Sequence, residues 1–399
     1  HTPGQRRRPH AVAHQWLWMD VVTHGAVQLL PAALTTVTLL LVPGWTVARA
    51  ARSTMWASLA LAPALGALLV GVAEVVAHAV GLAWCPWGWV VVGALTALTA
   101  AVARVLAGAG TGRALPRRAA SSARPDPVLL VALAVAVAVP ALVVLTTLPA
   151  AGDPPQAFDA TFHLNAVAAI RDGGNASSLG GLASLYDGQA VYYPTVWHGI
   201  VALGPGSVAV ATNAALLAVL AVVWPLTLAG MLLCVAQVPG VATAQGQRVR
   251  SVAVAATLVL SSGLVAFPLL LMTSLAVWPY ALSVLALPAV LTLADQARRG
   301  RAAGVRERAT RAALLLAAAG GVVLSHGTGL FNLVLVGAPF AGEAVAAVAH
   351  RGRRVRRRLL LVGGLAVVLL AAGAWVMRVA LASVLGYHRA DGGWAGAVG

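Results

Sequence analysis

Residues 128–148 read VLLVALAVAVAVPALVVLTTL, twenty-one residues without one charged side chain. At the rise of an α-helix this run reaches about 31 Å, the thickness of a bilayer's hydrocarbon core. Charge returns only beyond its ends, at Arg124 and Asp126 on one side and Asp153 on the other. In lipid the backbone must satisfy its own hydrogen bonds, so a run of this kind reads as a membrane-crossing helix.

Working outward, the same reading finds Val27–Val47, Ala57–Val80 and Trp87–Ala103 before it. After it come Val208–Val235, Val252–Leu271, Val277–Leu293, Ala312–Leu324, Leu330–Val348 and Leu359–Val384. The predicted fold is therefore an all-α integral membrane protein with about ten transmembrane helices. The eighth run is short, and only Phe267-Pro268 divides the sixth from the seventh. Both regions are candidates for broken or re-entrant helices. Residues 1–18 differ in composition and are expected to be a non-native or disordered segment; 19–399 then form one transmembrane domain.

Of the 399 residues 60% are apolar and 10% charged, against roughly a quarter charged in soluble domains. So few charges cannot coat a globular surface, and lipid removes that requirement. Every one of the 27 basic residues is arginine, and the net charge is +16. In a soluble protein such a charge would point to nucleic acid. Here the arginines flank the apolar runs, which assigns them to topology and to anionic headgroups, with no nucleic-acid partner. Alternate loops carry Arg49 and Arg52, Arg104 to Arg124, Arg248 and Arg250, Arg298 to Arg311, and Arg351 to Arg358. The opposite loops hold only Arg171 and Arg389, with Arg378 inside the last run. By the positive-inside rule the arginine-rich side is cytoplasmic, in a multi-pass protein of the inner (plasma) membrane. Cys85 and Cys234 form no CxxC pair, so neither a metal site nor a redox motif is indicated.

The longest stretch outside the runs, 149–207, then faces outward. It holds a helical pattern over Phe158–Ile170, a break at Gly173-Gly174, and Tyr192-Tyr193-Pro194 ahead of Trp197-His198. Asp159 and His163 are four apart and share a helix face with Val167 and Ile170. That spacing fits a general base beside apolar surface; it equally fits a hydrogen-bonded i,i+4 pair or an N-cap at Asp159. Glu74 and His78 form a second i,i+4 pair inside the second run, where ionisable groups are functional candidates or helix-packing devices. His326 lies in Ser325-His326-Gly327-Thr328-Gly329 at the outer turn between the eighth and ninth runs, and Arg378 sits near the outer end of the last. Arg378 either snorkels to headgroups or contacts a phosphate. All of these map to the outer half. No P-loop, dinucleotide fingerprint, HExxH or GxSxG elbow is present, so the chemistry points to a membrane-borne substrate at the outer face.

Phe158-Asp159-Ala160-Thr161-Phe162-His163, followed by Tyr192-Tyr193-Pro194 and Trp197-His198, resembles the large extracytoplasmic loop of GT-C glycosyltransferases. The whole chain also resembles an uncharacterised actinobacterial membrane family of GT-C style. The resemblance implies a GT-C-like fold with a structured loop between spans four and five. It implies a polyprenyl-phosphate-linked sugar as donor and a cell-envelope glycan or lipid as acceptor. Asp159 takes the place of the family's catalytic base or metal-associated carboxylate, so a divalent metal ion is the one cofactor left open. Asp159 and His163 become the catalytic pair, and Arg378, His326, His198, Tyr193 and Glu74 line the substrate. In this chain the loop follows the fourth span rather than the first, and Asp159 is followed by Ala160 instead of a second acid. The reading from another class is a transporter or flippase, supported by ionisable Glu74, His78 and Arg378 within spans and by Pro225, Pro268 and Pro279.

Overall fold

In the computed structural model, residues 11–108, 126–236, 243–300 and 304–349 are described, together with Gly363, Gly364 and Trp375. They form thirteen α-helices and no strand; Leu179 and Tyr192 make one isolated antiparallel bridge. Nine stretches among the described residues are long and apolar enough to cross a bilayer, which makes this a multi-pass membrane protein. Of the tenth expected run, Leu359–Val384, only Gly363, Gly364 and Trp375 are described.

The first four helices are α1 (Ala11–Ala50), α2 (Met55–Ala79), α3 (Trp84–Leu106) and α4 (Pro127–Thr147). Helix α2 is the axle of the bundle, touching α1, α3 and five later helices. The reason is its small residues: between Ala57 and Ala77 it buries seven alanines and two glycines. Gly66 on α2 meets the Leu40 carbonyl of α1, and Gly44 of α1 meets the Ala62 carbonyl of α2; a Cβ at either position would strike that oxygen. Close backbone approach through small residues replaces the hydrophobic drive that water supplies to soluble helices.

The outward segment carries α5 (Phe158–Gly173) and α6 (Val196–Ala202). Then α7 (Val208–Ala218) and α8 (Trp224–Val235) are joined by the π-helical turn Val219–Val223 into one span, just before Pro225. Helix α9 (Ala244–Ser262) runs into an irregular turn, Val265–Leu270, where Phe267 is extended. Helices α10 (Trp278–Leu285) and α11 (Leu287–Arg299) share the seventh span, and α12 (Val305–Ser325) and α13 (Gly329–Ala349) complete the described bundle.

One expectation changes and another holds. The eighth span is not short: α12 extends seven residues earlier than the apolar run, to Val305. Its first turns carry Arg306, Arg308 and Arg311, which hydropathy rejects but the bundle end accommodates. Arg311 bonds the Gln296 carbonyl of α11 and pairs with Glu307 one turn back. The sixth stretch, Gln245–Leu270, is broken at Phe267-Pro268 as expected, and a separate apolar stretch, Trp278–Arg299, follows it.

The two ends of the bundle differ. At one end Arg52 bonds the Gly108 carbonyl after α3, and Arg250 and Arg299 bond the Leu233 and Val235 carbonyls at the close of α8. Cations on a helix C-terminus oppose the partial negative charge there. At the other end, one length of α2 away, the Trp84 N–H opening α3 donates to the Gly174 carbonyl that closes α5. The candidate site stands at this second end.

Candidate functional site

Helix α5 owes its place to three local features. Its inner face is apolar at helical spacing, with Ala160, Val167 and Ile170 fully buried. It stops at Gly174, which takes the left-handed conformation (φ +66°) that closes a helix. At its last turn the Arg171 guanidinium gathers four carbonyls, those of Val201, Ala202, Gly204 and Gly206, at 2.6–3.4 Å. These carbonyls end α6 and the turn after it, so Arg171 ties the two outward helices together. This explains the arginine that broke the charge asymmetry: it serves the loop and not the topology.

The intervening loop is fixed as well. Asn213 of α7 donates to the Ala151 and Asp153 carbonyls at the loop's start. Leu179 bridges Tyr192, and the Tyr193 N–H donates to the Ser178 carbonyl at 3.0 Å. That pairing sets Tyr193 against Phe162, ring centres 5.1 Å apart.

Beside these residues lies a cavity of about 830 Å³. Its lining combines Asp159, Phe162 and His163 from α5, Tyr186 and Tyr193 from the loop, Pro279 and Tyr280 from α10, and His326, Thr328, Phe331 and Asn332 around the start of α13. Asp159 and His326 are thus brought to one space from segments 167 positions apart. Four aromatic rings, Phe162, Tyr186, Tyr193 and Tyr280, form walls, and Trp278 floors His163 with ring centres 5.2 Å apart. The volume and the mixture of apolar wall with few polar groups suit a small-molecule ligand.

His163 is 5% exposed, and its Nδ1 lies 2.9 Å from Nε2 of His198, which is fully buried behind it on α6. Burial pushes the His163 ring down to about 4, and the charge of His326 adds to the shift. His198 is also held well below its ordinary value, first by burial and then by His163, while the Thr195 carbonyl works the other way. Both rings are therefore neutral near pH 7. Burial also lowers His326. Its Nδ1 accepts from the Thr328 N–H at 3.3 Å, with the Thr328 hydroxyl at 2.7 Å. A ring nitrogen that accepts carries no proton, so neutral His326 holds its hydrogen on Nε2. The Tyr193 phenol is pushed above its ordinary range by burial, then by Tyr186 and Asp159.

Asp159, His163, His326 and Tyr193 therefore share one cavity. Asp159 is no N-cap, because α5 is capped at Ala157, and His163 bonds His198 rather than Asp159. His198 stands behind the cavity and does not line it. Glu74 is also out of reach. It is fully buried in α2 with its Oε2 accepting from the Thr195 hydroxyl at 2.9 Å, while His78, one turn on, is exposed. The expected Glu74–His78 pair is replaced because α6 covers Glu74 with Thr195 and Gly199, whereas His78 emerges at the helix end. Arg378 lies outside the described residues. Among the described residues no three of His, Cys, Asp and Glu are grouped to hold a metal ion. Tyr186, Tyr280, Phe331 and Asn332 escaped the sequence reading. For Tyr280 a signal existed, since Trp278-Pro279-Tyr280 opens a span on the same end as Asp159.

No curated protein and no solved structure matches the chain. A family profile does, over residues 37–399, and the chain accordingly belongs to the family of unknown function DUF6541.

Proposed function

We propose that this protein is a membrane glycosyltransferase of GT-C type. It takes a sugar from a polyprenyl-phosphate donor and gives it to a cell-envelope glycan or lipid at the outer face, with the arginine-rich end in the cytoplasm. The observation that carries the reading is the convergence of Asp159, His163 and His326 on one aromatic-walled cavity at the end opposite the arginines.

The groups suit an inverting displacement. The Asp159 carboxylate accepts the proton of the acceptor hydroxyl as its oxygen bonds the sugar's anomeric carbon. The bond from that carbon to the phosphate oxygen breaks, and the electron pair leaves with the polyprenyl phosphate. Among the donors lining the cavity, His326 Nε2–H and the Asn332 amide are assigned to the charge growing on the leaving oxygen. In the same reading Arg378 supplies the cation for the phosphate. The aromatic faces shape the sugar's position and keep water from competing with the acceptor.

The test is transfer from polyprenyl-phosphate-linked sugars in proteoliposomes, comparing wild type with Asp159→Asn. Removing a general base lowers the rate roughly 10²–10⁴-fold. An Asp159→Asn protein as active as wild type removes Asp159 from the chemistry, and no transfer from any donor of this class by wild type ends the proposal. A transporter or flippase is the second reading, and the observation in its favour is Glu74, fully buried within a span.

A further inference from the structure

At the arginine-rich end, Arg49 and Arg52 from the close of α1 and Arg104 from the last turn of α3 line one groove of about 700 Å³. Arg52 holds a left-handed backbone (φ +64°), unusual for a residue with a Cβ, and its guanidinium reaches the Gly108 carbonyl. Arg49 bonds the Ser53 carbonyl. The remaining lining is Thr46 and four alanines, with no carboxylate. The ion pairs among the described residues join Arg298, Arg299 and Arg311 to Asp295, Glu307 and Glu343; none reaches Arg49, Arg52 or Arg104. Glu307 shares a separate cavity with Arg52 and is engaged by Arg311. The sequence that follows α3 adds Arg113, Arg117, Arg118 and Arg124 and no acid before Asp126. Three cations thus share a groove in which none of them is paired with a carboxylate among the described residues.

The groove's flank is apolar. Ala97, Ala100 and Ala101 leave it shallow, and beside them Leu98, Val102 and Val105 are 62%, 50% and 73% exposed on α3. Guanidinium forks at one end and exposed hydrocarbon-facing side chains along the wall match an amphipathic anion. We propose that this groove binds an anionic phospholipid, its phosphate among Arg49, Arg52 and Arg104 and an acyl chain along the exposed flank of α3. Basic pockets between membrane helices at the cytoplasmic surface are suited to such headgroups. The site stands apart from the Asp159 cavity and does not depend on its chemistry.

The experiment uses the full chain in detergent micelles, titrated with short-chain phosphatidylglycerol, phosphatidylcholine of the same chain length, or inorganic phosphate. The thermal midpoint reports binding, since a ligand held only by the folded state raises it. Phosphatidylglycerol is expected to raise the midpoint saturably, and the other two are not. Arg104→Gln, exposed and remote from the core, keeps the lipid-free midpoint and binds phosphatidylglycerol about fivefold more weakly. The triple variant R49Q/R52Q/R104Q loses the effect. Equal stabilisation by phosphatidylcholine overturns the headgroup site, and an equal effect of inorganic phosphate makes it an ion site and overturns the lipid. Unchanged affinity in the folded Arg104→Gln protein places the lipid elsewhere and overturns the assignment.

Discussion

His163 Nδ1 and His198 Nε2 meet at 2.9 Å behind the wall of the cavity, two rings from segments 35 residues apart. One must donate and the other accept, so the contact fails if both rings are protonated. Burial lowers both, His163 to about 4 and His198 well below its ordinary value. The pair behaves as a neutral strut that fixes which edge of His163 faces the cavity.

That strut makes stability depend on pH. Between about 4 and the ordinary histidine value of 6.5, the unfolded chain binds more protons at His163 than the folded one. Stability therefore rises with pH through this window, and it is lost as pH falls from 6.5 toward 4. His326, also lowered, adds to the same slope. The thermal midpoint of the purified protein is expected to drop across that range. His163→Gln, which can still bridge to His198, should show a shallower drop. Identical slopes in the two proteins would remove His163 as the source.

The outward helices depend on Arg171. Its four carbonyl partners cap α6 and the turn after it, and a charged donor contributes about 1.5–3 kcal/mol per bond when buried. Arg171 is partly exposed, so the summed effect is discounted to roughly 2–3 kcal/mol for Arg171→Ala. Lysine reaches fewer oxygens from a single point, and Arg171→Lys should fall between alanine and wild type. Limited chymotrypsin digestion of the 149–207 segment reads this directly: cleavage is expected fastest in Arg171→Ala. Equal protection in all three proteins would show that the loop is held by other contacts.

Most of the bundle was legible in the sequence because lipid imposes a one-dimensional rule, length without charge, that segments such as Val128–Leu148 obey. Helix α12 escaped in part because Arg306, Arg308 and Arg311 occupy its first turns, and the bond from Arg311 to a neighbouring helix is invisible to hydropathy. In the site, the parity of the spans was enough to send Asp159, His163 and His326 to one end. It could not say that His198 turns inward, since that depends on α6 being buried on every side. Nor could spacing tell that Glu74 leaves His78 for Thr195, which needs the rotation of α2 against α6. Tyr186 and Phe331 carry no pattern of their own; only the folded loop and the start of α13 bring them to the cavity.

Glu74 separates the two readings of function. It lies in the bundle core, Oε2 bonded to Thr195 and Oε1 without a hydrogen-bond partner among the described residues, pressed against Gly199. It does not line the Asp159 cavity. Proton-coupled transport would need this carboxyl to gain and lose a proton, and glutamine cannot. Glycosyl transfer at Asp159 needs only that the side chain fill its space and accept from Thr195, which the glutamine carbonyl can do. Glu74→Gln is therefore expected to stay within about 1 kcal/mol of wild-type stability and to keep transfer activity, while Asp159→Asn loses it. Measured side by side in proteoliposomes, the opposite order, with Asp159→Asn active and Glu74→Gln dead, would sink the glycosyltransferase reading and move the functional centre from the outer cavity to the core of α2.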